Sequence, residues 1–204
     1  AVMRRNIHLD TSSTLLIEDV TGSMYPYIYQ TFEWRRKYHS KITKYTFFND
    51  GDHKPDAAKK IGSTGGIYEF EGNDIDKLEN QVKTAMRNGS GGDGPENNLE
   101  AALYGFEHFP ESDSVIMIVD NWAPVKDISL IENIIKKGKP IHIILCGYKG
   151  MILSDYLKIA IETKGTIHTI EEDISFSKPI PDGTILTLGM QKFSYEKGKL
   201  VLKR

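Results

Sequence analysis

A single cysteine, a nearly balanced charge and the lack of any long apolar run each remove a class of function before any motif is read. Cys146 has no second cysteine to pair with, so no internal disulfide is possible. It closes the apolar run 141–146, where a small packed side chain is expected rather than a nucleophile. No segment reaches the roughly 20 apolar residues of a membrane helix, so membrane insertion is not expected. Residues 1–10 lack the apolar stretch of a signal peptide, and the compartment stays open. Against 28 Asp and Glu stand 26 Lys and Arg with no long run of one sign, so neither nucleic acid nor an anionic membrane is an expected partner. The six histidines show no paired metal-site spacing, and His142, inside an apolar run, reads as a packed side chain.

What the chain does have is alternation. From about residue 14, apolar β-rich runs alternate with segments whose apolar residues recur at helical spacing. This predicts an α/β fold: a doubly wound, mainly parallel sheet with helices on both faces. Strands are expected at 14–18, 41–48, 67–70, 114–120, 141–146 and 166–170. Helices are expected at 24–39 with Ser23 as a cap, after a cap at Asn73 as far as residue 88, from Pro95 to residue 108, beyond a cap at Asp127, and at 154–164. From Asp173 onward, Pro/Gly turns separate short antiparallel strands at 184–188, 191–195 and 199–203. Residues 1–172 thus read as one domain and 173–204 as a β appendage packed on it, since about 30 residues bury too little apolar surface to fold alone.

In an open parallel sheet, ligands bind beyond the carboxyl ends of the strands, where strand order reverses. Three loops there hold oxygen donors. Asp19-Val20-Thr21-Gly22-Ser23 follows the first strand with a carboxylate and two hydroxyls on alternate positions. Gly91-Gly92-Asp93-Gly94-Pro95-Glu96 precedes a helix, and 115–120 is an apolar strand ending in Asp120. Such hard oxygens suit Mg²⁺, Mn²⁺ or Ca²⁺. Each residue also has an ordinary use: Asp19, Ser23 and Asp93 as helix-terminus partners, Asp120 as the start of an Asx-turn.

The run Asp19-Val20-Thr21-Gly22-Ser23 resembles the metal-ion-dependent adhesion motif of von Willebrand factor A domains. Gly91 to Glu96 is similar to the second metal loop of one branch of that family, and Asp120 to its last metal-site aspartate. The resemblance covers about residues 14–170 and leaves the β tail outside. It implies Mg²⁺, or Mn²⁺ or Ca²⁺, held through the hydroxyls of Thr21 and Ser23, with Asp19 and Asp120 acting through water or hydrogen bonds. Asp93 departs from the threonine common in the family; a carboxylate there would better neutralise the ion and weaken its pull on an acidic ligand. The implied activity is recognition of a protein partner, through an acidic side chain of that partner, rather than catalysis. Tyr25 and Trp122 are the aromatics expected beside the ligand.

Other readings carry less. Loop 49–56 holds three acids and a histidine but lacks the EF-hand glutamate and helix pair, so a solvated turn on the same rim is expected. As a phosphotransfer nucleophile Asp19 would need a second acid where Thr21 stands, and no activated nucleophile is paired with a base. The glycine-rich 63–66 and 89–94 lack a P-loop ending. A metal-assisted phosphohydrolase using the same acids, and a scaffold that holds no metal, remain the competing readings; oligomeric state stays open.

Overall fold

The computed structural model describes residues 13–38, 40–89 and 94–203. Its centre is a seven-stranded sheet of β1 (Thr14–Asp19), β2 (Lys44–Phe48), β3 (Ile67–Glu71), β4 (Ser114–Asp120), β5 (Ile141–Cys146), β6 (Thr166–His168) and β7 (Asp173–Ser175), in the order β3-β2-β1-β4-β5-β6-β7. The five inner strands are parallel, while β3 and β7 run antiparallel at the two edges. The helices are α1 (Tyr25–Tyr38), α2 (Ile75–Asn88), α3 (Asn98–His108), α4 (Ile131–Lys137) and α5 (Ser154–Glu162). No helix among the described residues is long and apolar enough to cross a membrane.

Because successive strand side chains point to opposite faces, the inner strands feed two cores at once. Leu15, Ile17, Val115, Met117 and Ile143 meet Leu99 and Phe106 of α3, Ile134 of α4 and Leu157 of α5. Leu16, Ile116, Ile118 and Ile144 meet Ile28 and Trp34 of α1 with Leu78 and Val82 of α2. All six residues of β1 are buried, as a central strand covered on both faces requires. The expected doubly wound architecture is therefore present, with α1 and α2 on one face and α3 to α5 on the other.

A second, three-stranded antiparallel sheet, β8 (Ile185–Leu188), β9 (Gln191–Glu196) and β10 (Lys199–Lys203), follows in the order β10-β9-β8. Leu188 and Phe193 enter the first core, so this sheet packs on the α/β body. Gly189 makes the close approach possible. Its backbone is left-handed at φ 58°, and a side chain there would collide with the Tyr148 hydroxyl. Residue 173 opens β7 of the main sheet, and the second sheet begins at Ile185.

Local expectations shift in physically instructive ways. The cap of α2 is Asp74, not Asn73: the Asp74 carboxylate accepts Lys77 N–H. Helix α3 starts at Asn98 rather than Pro95, because Glu96 forms a parallel bridge with Val125 and its carbonyl accepts Lys126 N–H at 2.9 Å. Asp127 makes no side-chain cap on the 3-10 turn Ile128–Leu130 that follows it. Its carboxylate instead accepts Leu99 N–H at 3.1 Å and Glu100 N–H at 2.6 Å, capping α3 from another loop. Loop 49–56 is not simply a solvated turn, since Asn49 and Asp50 are fully buried and only its far end is exposed.

Candidate functional site

Strand order supplies the location. The chain runs outward from β1 through β2 to β3, then returns to place β4 on the other side of β1, so the carboxyl ends of β1 and β4 flank a switch point. Asp19 ends β1 and Asp120 ends β4. Sheet topology thus brings together two acids a hundred residues apart, each repelling the charge of the other.

Immediately after Asp19 the chain makes a 3-10 turn, Gly22–Met24, leading into α1. Asp19 Oδ1 accepts both Thr21 N–H at 2.8 Å and Thr21 Oγ1–H at 2.6 Å. With that proton committed, the 3.1 Å approach of Thr21 Oγ1 to Ser23 Oγ has Ser23 as donor. Ser23 lies inside the turn, and one carboxylate and two hydroxyls form a short chain at the sheet edge. Across the switch point, Asp120 Oδ1 accepts Trp122 N–H at 2.9 Å, the Asx-turn expected of it, while its buried Oδ2 has no hydrogen-bond partner among the described residues.

Glu96 is the member that sequence reading passed over. It was visible within the second loop; its backbone forms a bridge with Val125, and its buried Oε2 has no hydrogen-bond partner among the described residues. Burial pushes its carboxyl up to about 9, with Asp19, Asp50 and Asp120 adding to the rise and Lys126 opposing it. Asp19 is pushed up to about 7, mainly by burial; its bonds from Thr21 oppose the rise and Asp120 and Glu18 add to it. The phenol of buried Tyr156, on α5, is pushed well up by burial and by the fields of Asp19 and Asp120. The field of Lys126 reaches this group of acids and partly offsets it. Where a buried acid gathers partners elsewhere, the protein supplies cations: Asp50 takes Lys126 Nζ at 2.5 Å and Lys59 Nζ at 2.6 Å.

Tyr25 and Trp122 are both largely in solvent, at 76% and 68% exposure, one on each side of the switch point. Asp93 lies outside the described residues. Cys146 is partly buried, and burial together with the nearby acids pushes its thiol up to about 12, which leaves it unreactive. His142 bonds through Nδ1 with Thr166 Oγ1 at 2.9 Å, a cross-strand pairing. The glycine-rich turn at 63–66 offers no free anion cradle, because Thr64 N–H and Gly65 N–H both donate to the Glu100 carboxylate.

Among the described residues, no group of three or more His, Cys, Asp or Glu side chains is arranged to hold a metal ion by itself. The donors at the switch point are mixed, carboxylates with hydroxyls, all hard oxygens, and two of the carboxylate oxygens are buried without partners. By donor chemistry they suit a hard divalent ion. No family model matches this chain, and no curated protein matches it.

Proposed function

We propose that this chain is a divalent-cation-dependent protein-binding module whose ion would be held by Asp19, Thr21, Ser23 and Asp120, with Asp93 as the further ligand that the resemblance implies and Glu96 close to the acids. The observation that carries the reading is the buried Asp120 Oδ2, without a hydrogen-bond partner among the described residues, at the end of β4 beside the β1 end that carries the Asp19–Thr21–Ser23 chain. A buried carboxylate oxygen without a partner is costly, and a cation bound there would remove the cost. The resemblance of three loops to the metal-ion-dependent adhesion motif supports the same conclusion. When bound, Mg²⁺ or a similar ion supplies positive charge that attracts an oxygen of the partner, such as an Asp or Glu side chain. The protein's own residues do the rest: Thr21 holds Asp19 in place, and Trp122 N–H orients Asp120.

Calorimetric titration with Mg²⁺ and Mn²⁺ tests this. The parent is expected to give saturable heat that is absent from an Asp19→Ala/Ser23→Ala variant with unchanged circular dichroism. A parent without metal-dependent heat would overturn the reading. Metal-dependent hydrolysis of a phosphate ester would replace it with a phosphohydrolase.

A further inference from the structure

Next to the switch point, the loop 147–153 after β5 is fastened along both margins. On the side of Asp120, the Asn121 side chain donates from Nδ2 to Met151 O at 2.7 Å and accepts Leu153 N–H at 3.1 Å. On the other side the β8–β9 turn of the second sheet grips it: Met190 N–H donates to Gly150 O at 2.7 Å, and Gln191 Oε1 accepts Ile152 N–H at 2.7 Å. The second sheet therefore helps to build the rim that carries Asp120. The resemblance does not extend to this sheet.

Three large apolar side chains stay in water around this rigid loop: Trp122 at 68%, Met151 at 56% and Met190 at 74% exposure. Single exposed apolar residues are ordinary, but several on adjoining loops braced by hydrogen bonds beside a polar site mark a recognition surface, and methionine adapts well to varied apolar partners. Charge gives this surface a direction. Lys149 Nζ stands 5.5 Å from the Trp122 ring centroid, at the end nearer Asp120. At the far end Tyr148 faces Glu172, whose carboxylate is 3.4 Å from its hydroxyl, with Glu171 also close enough to raise the phenol. An anionic group is thus favoured near Trp122 and disfavoured toward the second sheet, where an apolar group fits.

We infer that the ligand of this face is a protein segment in which an acidic side chain is flanked, within a few residues, by a bulky apolar one. The acid reaches the switch point beside Lys149, and the apolar side chain covers Trp122, Met151 and Met190. This deepens the metal-dependent protein-binding reading and rests on it.

The test selects random heptapeptides on the full chain in Mg²⁺, eluting with EDTA, and measures the consensus peptide by fluorescence anisotropy. Expected peptides pair Asp or Glu with Trp, Phe, Leu or Met. Affinity is expected to fall about tenfold or more in Trp122→Ala and in Met190→Ser, both exposed positions at which folding should be kept. Of the two tryptophans, Trp34 is buried, so a blue shift of emission on binding reports Trp122 being covered. EDTA-eluted acidic peptides without an apolar residue, or with affinities unchanged in both variants, would overturn this inference while leaving the metal reading intact. A parent without Mg²⁺ heat and without EDTA-eluted peptides would overturn both.

Discussion

The Asp127 carboxylate accepts the backbone N–H of Glu100 at 2.6 Å, joining the loop after β4 to the first turn of α3. A second bond, from Leu99 N–H, completes the cap. These bonds hold the chain just after Glu96, so Asp127 fixes where that acid stands. Asp127→Ala is expected to cost about 2 kcal/mol, the upper end for a lost helix cap, because the orphaned N–H groups are buried. Urea unfolding checks this, and a loss under about 0.5 kcal/mol would show that the cap is not needed.

The same carboxyl has a pH signature. Burial raises Asp127 to about 6 from 3.8, against the pull of its N–H donors. The folded state therefore holds the proton more tightly than the unfolded chain. Stability from this group is highest below about pH 4, declines as pH rises toward 6, and is constant beyond, a change on the order of 3 kcal/mol. Asp127→Asn should lack this component. Unfolding free energies of the two proteins between pH 4 and 7 are expected to differ by a pH-dependent amount; a constant difference would contradict the assignment.

Glu18 and Arg35 form a fully buried ion pair between β1 and α1, with the guanidinium 4.6 Å above the Phe32 ring. Among the described residues, Glu18 Oε1 and Arg35 Nε and Nη2 have no hydrogen-bond partners, so the pair is only partly satisfied. Either single substitution, Glu18→Leu or Arg35→Leu, strands a buried charge and is expected to cost about 3–5 kcal/mol. The double variant should be more stable than at least one single. Additive losses in a double-mutant cycle would disprove coupling.

Phe193 brings the second sheet into the main core. Phe193→Ala is expected to cost about 3–5 kcal/mol and to lower the urea midpoint in a single transition with unchanged slope. Two separate transitions in the parent would mean that the sheet folds independently.

If the switch point holds a divalent ion, the ion stabilises the folded state. At a hundredfold excess over its Kd, Mg²⁺ should add about 2.7 kcal/mol and raise the thermal midpoint by several degrees. EDTA should reverse the gain, and Asp120→Ala should abolish it. A midpoint indifferent to Mg²⁺ in the parent would argue against a bound ion.

The residues alone determine the alternation of apolar strands and amphipathic helices, and with it the layered α/β architecture, because periods of 2 and 3.6 are written locally. Asp19, Thr21 and Ser23 are legible for the same reason: they share one turn after one strand. Other features depend on segments distant in sequence. Asp127 caps α3 rather than the turn beside it, and Asp50 is buried between lysines from two loops. Glu96, bridged to Val125, comes within the field of Asp19, Asp50 and Asp120, which are distant in sequence. The second sheet braces the loop beside Asp120 through Met190 and Gln191. Hydrogen bonds and burial of this kind are decided by which chain segments the sheet order brings side by side, and no local period in the sequence encodes that order.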